Sequence, residues 1–557
     1  MYDHIITELN QIIDTEEQKI INCGISGQVA IIELCRAIDY FLIGVRYYDA
    51  KKKMSEDDID LYNNCWPYAI KLFYDNSMEN EGVPLYSSHN SFASLADMIL
   101  QHSGRIYTLK KLLDLYKTGV YSLNRTSTDK YQFKILPLKT IGAEYFEVLE
   151  FEKQNQAIIQ SQQIKYDELN LEKGEISTIM SSLVFRWRDD FIGYSADSRV
   201  DTYYYRLATL EAERIPGINE FPDDLVFNGI QFELYKKAVI AIISWSLKHM
   251  NFCFELKKKY RELDIRNLLI KFQPKEFVTD NLANAINADN NTANKILSTF
   301  VLNRENIDYH CSGNIPPPFI EIGKNQLLYS NVGCMIDPLN FMLNELNRQA
   351  PKEWDKAISV RESTMRDELY KLFLKNDLIK IPRNFNLKDK NKILTDIDAC
   401  IIDPDNGEIA IFQIKWQEPY GRVMTERYSK KKNFLYECNN WINTVDGWFK
   451  NNEYTELSSI IGEKRSLLKR VKNIRYFVFG RNSTHFSGND CPDERAAWGV
   501  WPQVVNIMLN NKNSENPIKF LFKALKENSP INKKVTILNK SELCFGDKSI
   551  SILPLDY

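Results

Sequence analysis

The sequence lacks the closely spaced cysteine and histidine pairs that build structural zinc sites. Its ten cysteines and six histidines are scattered along 557 residues, and no two cysteines are spaced as Cys-x-x-Cys. Structural zinc ligands usually come in such pairs. With 44% apolar residues, a chain of this length buries enough core to fold without metals or disulfides. We therefore expect roughly two to four domains held by ordinary packing, with free thiols.

A segment suited to a membrane is also missing from the sequence. The longest strongly apolar run, residues 238–247, is too short to span a bilayer and has a lysine on each side. The first residues, MYDHIITELNQIID, contain acids and no apolar stretch of the kind found in signal peptides. We therefore expect a buried helix at 238–247, no membrane partner and a cytoplasmic location.

Neither sign of charge is in large excess. The chain has 71 basic and 74 acidic residues, which give a formal net charge of −3. This balance does not exclude a nucleic-acid partner. It means that any basic surface has to be local, with acidic regions elsewhere compensating it.

Hydrophobic periodicity divides the chain into four predicted units. They are, in order, a helical domain, a unit of short strands and long helices, a helical unit with a proline-rich connector, and an α/β domain, at residues 1–125, 126–265, 266–349 and 350–557. The expected fold class is therefore multidomain α+β, with a mostly helical N-terminal region.

Four segments carry the clearest local predictions in the first three units. Residues 28–48 are apolar on nearly every side, which is typical of a buried helix. Residues 127–151 are rich in aromatic and β-branched side chains and predict short strands. A long helix is predicted at 228–263, and residues 315–331, with three consecutive prolines, predict a connector followed by a short strand pair.

Residues 275–303 read as two amphipathic segments joined by a turn at 288–291. Thr292 can cap the second segment. The pattern fits a helix-turn-helix that reads DNA, but it also fits an ordinary helical hairpin. The second helix carries only one lysine, Lys295, so both alternatives stay open.

The fourth unit begins with a predicted helix at 354–376 that carries two acids of interest. Its apolar stripe consists of Trp354, Ile358, Met365, Leu369, Leu372 and Phe373. Glu362 lies within that stripe and Glu368 lies at its edge. A carboxylate on a buried face is costly unless a cation or a metal pairs with it. Arg366, four residues after Glu362, is one partner that would make Glu362 purely structural.

Residues 392–416 predict a β-hairpin that turns at Pro404-Asp405-Asn406-Gly407. A turn centred on Asn406-Gly407 places Asp398 opposite Lys415, whereas a turn centred one residue earlier places Asp398 opposite Gln413. Both registers put Asp396, Asp398, Gln413 and Lys415 on one face. The remaining positions on both faces are apolar, so we expect the sheet to be covered on both sides.

Two acids, an amide and a lysine at one end of a buried face suit phosphodiester hydrolysis. That reaction uses oxygen ligands to hold Mg²⁺ or Mn²⁺, which activate water. Asp398 and a helix glutamate can supply carboxylates, and Gln413 and the backbone of Ile414 can supply carbonyl oxygens. Lys415 can orient the water or stabilise the pentavalent phosphate.

The helix glutamate, Asp398 and the following Gln413-Ile414-Lys415 resemble the PD-(D/E)xK nuclease superfamily, in the variant with Gln-x-Lys. The resemblance covers roughly residues 354–480. It implies a restriction-endonuclease-like α/β domain with a central mixed sheet, in which Asp398 and Gln413 bind the metal and Lys415 is catalytic. It leaves open whether Glu362 or Glu368 is the helix ligand, and whether Asp396 is an auxiliary ligand or a solvated acid.

Basic segments after the hairpin are candidates for phosphate contacts. A predicted helix at 422–450 carries Arg422, Arg427, Lys430, Lys431 and Lys432, and the resemblance implies that such a helix lies near the nucleic-acid backbone. Residues 464–475 hold six basic residues and no acid, with Lys469 and Arg470 as the candidates there. Both segments also fit solvated helix faces. His485, in a polar loop after the next predicted strand, is expected at the surface.

The sequence therefore predicts a Mg²⁺- or Mn²⁺-dependent endonuclease, acting on DNA in preference to RNA. The combination with a large helical region is typical of bacterial restriction or antiphage proteins, an inference by analogy. The alternative is a catalytically silent nucleic-acid-binding or scaffold subunit of a larger defence complex. A homo-oligomer or a partner protein subunit would suit either function.

Overall fold

The computed structural model describes residues 2–45, 56–74, 82–136, 143–219, 221–389, 392–416, 424–488, 490–532 and 541–553. The fold is mixed α+β, as predicted, and helices predominate in its first 350 residues. Within the described ranges, no helix combines the length and the apolar character needed to cross a membrane.

The helices before residue 350 pack against one another and against a few short strands. They are α1 (Tyr2–Ile21), α2 (Gly27–Asp39), α3 (Glu56–Tyr74), α4 (Asn90–Lys117), α5 (Ala143–Ser161), α6 (Gln163–Leu183), α7 (Ser198–Ala212), α8 (Phe232–Lys259), α9 (Ile265–Leu269), α10 (Lys275–Ile286), α11 (Asn290–Ser298), α12 (Ile307–Ser312), α13 (Asn331–Ile336) and α14 (Pro338–Gln349). The predicted buried helices at 28–48 and 228–263 correspond to α2 and α8. After α2 the chain continues as a π-helical turn, Tyr40–Gly44, and residues 46–48 lie outside the described residues.

The strands of this region are short. They are β1 (Tyr121–Ser127), β2 (Lys130–Ile135), β3 (Val184–Trp187), β4 (Phe191–Tyr194), β5 (Val226–Phe227), β6 (Ile230–Gln231), β7 (Lys271–Pro274), β8 (Val301–Leu302), β9 (Phe319–Ile322) and β10 (Gln326–Tyr329). Strands β9 and β10 are the strand pair predicted after the prolines, and they join β7 and β8 in a four-stranded sheet of order β7-β10-β9-β8.

The prediction of strands over 127–151 is wrong for its second half. Residues from 143 onward form helix α5, whose more buried positions recur about every four residues. This helical period outweighs the aromatic and β-branched content that favoured a strand.

One hydrophobic core joins the first three predicted units. It runs from Ile5 to Ala357 and includes Phe545 and Ile550 from the C-terminal end of the chain. Those last two residues belong to the hairpin β18 (Ser541–Phe545) and β19 (Lys548–Leu553), whose strand β19 pairs in parallel with β2. The C-terminal hairpin thus belongs to the N-terminal part rather than to the predicted α/β domain. Residues 533–540, which precede β18, lie outside the described residues.

The segment at 275–303 forms two helices, α10 and α11, as predicted. The residue that caps α11 is Asp289, whose Oδ1 accepts a hydrogen bond from the backbone N–H of Thr292 at 2.9 Å. Thr292 is therefore the recipient of the cap and not the capping residue. A DNA-reading role for this pair stays a prediction.

The rest of the chain forms an α/β unit around a mixed sheet. Its elements are α15 (Pro351–Leu372), β11 (Ile379–Lys380), β12 (Phe385–Asp389), β13 (Lys392–Ile397), β14 (Ala399–Asp403), β15 (Glu408–Lys415), α16 (Met424–Asn451), α17 (Leu457–Ile461), α18 (Arg465–Leu468), β16 (Asn473–Gly480), β17 (Ala496–Val500), α19 (Trp501–Leu509) and α20 (Pro517–Glu527). The sheet order is β11-β14-β15-β16-β17. Strands β11, β14 and β15 are antiparallel neighbours, and β15, β16 and β17 are parallel.

Both faces of this sheet are covered, as the hairpin pattern predicts. Cys400, Ile402, Ile409 and Ile411 pack with residues of α16 on one face. Ala399, Ile401, Ala410, Phe412 and Ile414 pack with α15, α19 and α20 on the other. Helix α15 belongs to two cores, because Trp354 and Ala357 pack in the N-terminal core while Met365 and Leu369 pack against the sheet.

Candidate active site

The chain bends at Asp398, between β13 and β14. The Asp398 side chain is 7% exposed. Its Oδ2 atom accepts two hydrogen bonds of 2.7 Å, one from Nε2 of Gln413 and one from the backbone N–H of Ile414. Because both donors come from β15, the neighbouring strand fixes the orientation of this carboxylate.

The observed register matches the second of the two predicted ones. Ala399 pairs with Phe412 and Asp403 with Glu408, so the pairing, continued by one residue, places Asp398 opposite Gln413. The turn occupies all four residues 404–407. A four-residue turn centres the hairpin one residue earlier than Asn406-Gly407 alone would.

The prediction of one continuous strand through Asp398 is wrong. Strand β13 leaves β15 and pairs with β12, with Asp396 opposite Asn386. The bend also interrupts the alternation of side chains, so Ile397 packs with Cys400 and Ile411 and not on the opposite face. Asp396 is exposed, although its charge still acts on the buried acids.

Two carboxyl groups of the site, the buried Asp398 and the half-buried Glu362, have raised pKa values. The pKa of Asp398 is raised to about 7, chiefly by burial and also by the nearby charges of Glu362 and Asp396, while the Ile414 N–H and Lys415 act to lower it. Burial also raises the pKa of Glu362, an effect that Lys415 opposes and Asp396 reinforces. Two neighbouring carboxyl groups disfavour each other's ionisation, and a cation beside them is required for both to be ionised.

Lys415 is the cation that the protein itself supplies. It lies half-buried at the end of β15. Burial alone lowers the pKa of Lys415, but the carboxylates of Asp398 and Glu362 outweigh burial and raise the pKa above its ordinary value. The lysine therefore remains protonated, as a group that stabilises negative charge has to be.

Gln413 presents an oxygen that lacks a partner. The residue is 3% exposed, and its Oε1 atom is buried without a hydrogen bond among the described residues. Such an orphaned acceptor is costly unless something binds it. Ile414 contacts the site through its N–H, which donates to Asp398, and its backbone carbonyl as a metal ligand stays a prediction.

The donor set fits a hard divalent cation. Within the described residues, no three His, Cys, Asp or Glu side chains are grouped so as to hold a metal. The oxygens of Glu362, Asp398 and Gln413 are instead two carboxylates and an amide, which are ligands that Mg²⁺ and Mn²⁺ accept. The unsatisfied Oε1 of Gln413 is the observation that favours this fit.

The structure separates the two glutamates of α15. Glu362 interacts electrostatically with Asp398 and Lys415, whereas Glu368 forms an ion pair of 2.8 Å with Arg481. Arg366, the alternative partner of Glu362, instead donates a hydrogen bond of 3.5 Å from Nη1 to the backbone oxygen of Asp398. No ion pair forms between these two described side chains, Glu362 and Arg366.

Helix α16 runs past the site. Cys438 on this helix has a pKa of about 12, raised by burial and by the charges of Glu437 and Asp398, and lowered by Lys415. The indole Nε1 of Trp441 donates a hydrogen bond of 2.8 Å to the backbone oxygen of Asp396. The helix is thus adjacent to the acids, and its proximity to a nucleic-acid backbone stays a prediction.

The basic residues predicted at the start of α16 differ in their surroundings. Lys430 and Lys432 are exposed, while Lys431 donates a hydrogen bond to the backbone oxygen of Ser487. Arg422 and the side chain of Arg427 lie outside the described residues. Lys430 and Lys432 are therefore the members of this group that solvent-borne phosphates can reach.

Lys469 and Arg470 lie at the far end of the sheet from Asp398. Arg470 forms an ion pair of 3.3 Å with Asp405 in the hairpin turn. That turn precedes β15, whose eight residues separate it from Lys415 by about 25 Å. The structure does not bring these two basic residues to the site, because β16 begins beside the turn and runs parallel to β15.

The expectation that His485 lies at the surface is wrong. His485 is 1% exposed, and its Nδ1 lies 3.0 Å from Glu147 of α5. The same carboxylate accepts hydrogen bonds from the backbone N–H groups of Thr484 and His485. The polar composition of the loop concealed a buried partner more than 300 positions away in the chain, which no local pattern reveals.

Comparisons with known proteins leave the chemistry of the site unassigned. The chain matches no protein-family model, no curated protein and no solved structure. The functional argument therefore depends on the residues of the site and their geometry.

Proposed function

We propose that the chain is a metal-dependent phosphodiesterase that cuts nucleic acid, DNA in preference to RNA. The observation that carries this proposal is the convergence of Glu362 and Lys415 on Asp398, together with the unsatisfied oxygen of Gln413, whose amide donates to the same carboxylate. A buried cluster of this composition destabilises the fold unless it serves a ligand. The resemblance to the PD-(D/E)xK superfamily supports the same chemistry.

Each residue of the site has a role that its surroundings favour. Glu362, Asp398 and Gln413 would hold Mg²⁺ or Mn²⁺, which supplies an activated water and neutralises developing charge. Lys415, kept protonated by the two carboxylates, donates hydrogen bonds to the phosphate oxygen that gains charge. The Ile414 N–H keeps Asp398 oriented while these contacts form.

The surrounding charges fit a polyanionic substrate. Lys430 and Lys432 are exposed on the helix that passes the site, and they are candidates for contacts with the phosphate backbone. The net charge of −3 makes such local basic residues the means of holding nucleic acid. A role in bacterial restriction or antiphage defence is the biological setting we propose, by analogy alone.

One observation favours a catalytically silent subunit as the second candidate function. Gln413 replaces an acid, and its Nε2 donates to the same Asp398 oxygen that the Ile414 N–H uses. An amide is a weaker ligand than a carboxylate for a hard cation. A protein of this kind would bind nucleic acid, within a larger complex or as an oligomer, without cutting it.

The test is a cleavage assay with the purified full chain. Supercoiled plasmid, single-stranded DNA and RNA are each incubated with Mg²⁺, Mn²⁺ or EDTA, and wild type is compared with Asp398→Asn. Metal-dependent cutting that Asp398→Asn abolishes supports the nuclease. Binding of nucleic acid without cutting under every condition supports the silent subunit and overturns the nuclease.

A further inference from the structure

A cavity of about 450 Å³ lies in the N-terminal part of the fold, remote in sequence from Asp398. Hairpin β3–β4, helix α8 and strand β7 form its walls. Ligand pockets for small molecules begin at about 300 Å³. The cavity is therefore large enough for a molecule the size of a mononucleotide.

Aromatic side chains dominate the lining. Tyr194 and Phe252 stack face to face at 4.2 Å, and Trp245 lies beside them in the wall. Two further aromatic residues of the lining, Trp187 and Phe277, are 42% and 50% exposed. Large apolar side chains that stay exposed around one cavity mark a binding surface, and flat rings are the surfaces on which bases stack.

The lining holds two lysines and two aspartates, and one of the aspartates, Asp197, pairs with Arg199, which is not part of the lining. Lys271, on β7, places its ammonium group 4.2 Å from the centre of the Tyr329 ring. Among the residues that the structure describes, Lys271 has no hydrogen-bond or ion-pair partner. The second lysine of the lining, Lys248, pairs with Asp201, so its charge is already compensated.

The histidine of the lining adds no charge. Nε2 of His249 lies 3.1 Å from the backbone oxygen of Leu269, which only accepts, so Nε2 carries the proton. Nδ1 then accepts a hydrogen bond from the hydroxyl of Tyr194 at 3.1 Å. Burial lowers the pKa of His249 to about 3, so the ring is neutral near pH 7.

Burial of the Lys271 ammonium group destabilises the folded state, and a bound anion would remove this destabilisation. Burial and the neighbouring Lys248 lower the pKa of Lys271 to about 8, yet the group remains mostly protonated at pH 7. An unpaired cation in a half-buried position destabilises the folded state. A phosphate oxygen beside it would form a charge-assisted hydrogen bond.

We propose that this cavity binds a nucleoside phosphate, with the base against Trp187 and Phe277 and the phosphate on Lys271. The amide of Asn281, also in the lining, can hydrogen-bond to the edge of the base. The ligand is either a free nucleotide or the terminal nucleotide of a strand. The proposal does not depend on the nuclease function, since it uses none of the residues around Asp398.

Binding is measured by calorimetry on the metal-free full chain. The probes are the four nucleoside 5′-monophosphates, the matching nucleosides, inorganic phosphate and a 5′-phosphorylated decanucleotide. We expect at least one monophosphate to bind, and its nucleoside and inorganic phosphate to bind more weakly by roughly tenfold or more, since each lacks half of the contacts. Binding of the decanucleotide at this site identifies a strand end, and its failure to bind identifies the free nucleotide.

Variants connect that binding to the cavity. Lys271→Met keeps the length of the side chain and removes the charge, and Trp187→Ala removes one stacking surface. Lys173→Met, at an exposed lysine of α6, is the matched control. Lys271→Met removes both the charge and its contact with the Tyr329 ring, so we expect the variant to melt close to wild type and to weaken monophosphate binding by roughly tenfold or more.

The proposal is overturned if no monophosphate binds at millimolar concentration. It is also overturned if Lys271→Met binds as tightly as wild type, or if Lys173→Met loses binding to the same extent. Since the assay contains no divalent metal and no cleavage step, these outcomes are independent of whether the chain is a nuclease.

Discussion

Both hydrogen bonds to the Asp398 carboxylate fall on one oxygen, Oδ2, and both come from β15. This arrangement aims the carboxylate before any ligand arrives and leaves the Gln413 oxygen unsatisfied beside it. Preorganised donors of this kind cost no rearrangement when a cation binds. Gln413 is a hydrogen-bond donor to Asp398, and under the proposed function it would also be an oxygen ligand for the metal.

Changing Gln413 to an acid separates these two functions. Gln413→Glu removes the hydrogen bond to Asp398 and adds a like charge, which destabilises the metal-free protein by about 1–3 kcal/mol. A second carboxylate also binds Mg²⁺ more strongly. We expect a lower melting temperature than wild type in EDTA, and a larger gain on adding Mg²⁺.

Gln503→Glu is the matched control, because Gln503 is a buried glutamine in α19, away from the site. It is expected to melt lower in EDTA without recovery in Mg²⁺. An equal response of both variants to Mg²⁺ would refute the assignment of Gln413 as a ligand.

The two glutamates of α15 give a second test at the level of single residues. Glu362 lies with Asp398 and Lys415, and Glu368 pairs with Arg481 at a partly exposed position. Glu362→Gln should slow metal-dependent cleavage on the order of a hundredfold, as removal of a charge at the reacting phosphate does. Glu368→Gln should change the rate only a few-fold, since exposed ion pairs contribute about 1 kcal/mol or less. Single-turnover cleavage rates of the two variants distinguish the two glutamates. A larger loss of rate in Glu368→Gln than in Glu362→Gln would identify Glu368, and not Glu362, as the helix residue of the site.

Among elements, the hairpin β14–β15 was the most predictable part of the site. Its turn residues and the alternation around Gln413 correctly predict which side chains of β14 and β15 share a face of the sheet. One of the two predicted registers is the observed one. These are short-range properties, which a sequence carries locally. The covered faces of the sheet followed from the same pattern.

The bend at Asp398 was not predictable from the same pattern. Residues 393–403 alternate as one strand would, and the break arises because β13 has a better partner in β12. The position of Lys469 and Arg470 depends likewise on the parallel pairing of β16 with β15. Strand pairing between segments that are distant in sequence depends on tertiary contacts, and these contacts override local periodicity.

Helices α12 and α14 are joined by an acid whose ionisation stabilises the fold. Glu345 lies 2.8 Å from Nε2 of His310 and accepts two hydrogen bonds from Arg348. Burial alone raises the pKa of Glu345, but these partners and Gln349 outweigh burial and lower the pKa to about 2. The folded state therefore favours the carboxylate.

A pH series on Glu345→Gln tests this link. A depressed folded-state pKa contributes stability that is complete above the unfolded pKa and is lost as pH falls toward about 2. At pH 7 we expect the variant to lose on the order of 3 kcal/mol. The difference from wild type in apparent melting temperature should shrink between pH 4.5 and 3. A difference that stays constant over this range would contradict the ionised state of Glu345.

At the scale of the whole molecule, the N-terminal part and the α/β unit are connected at several points. Helix α15 contributes to the cores of both. The Glu147 carboxylate of α5 binds the loop that follows β16, and the C-terminal hairpin returns to pair with β2. Events in one part, such as ligand binding near Lys271, therefore have physical routes to the other.

The four-unit division predicted from the sequence missed these connections. Periodicity identifies helices one at a time, but it does not show that residues from Ile5 to Ala357 share one core. The return of Phe545 and Ile550 to that core depends on a parallel pairing across the whole chain. Composition and local pattern carry no signal of that contact.

The central claim, a metal-dependent nuclease at Asp398 and Lys415, is tested most directly by one rate measurement. Mg²⁺-dependent cleavage of supercoiled plasmid is compared among wild type, Lys415→Met and Lys469→Met, the last an exposed lysine at the far end of the sheet. We expect Lys415→Met to be slower by on the order of a hundredfold or more, and Lys469→Met to stay within a few-fold of wild type. A wild-type chain that cuts no substrate with any metal, or a Lys415→Met variant that cuts as fast as wild type, would contradict the account.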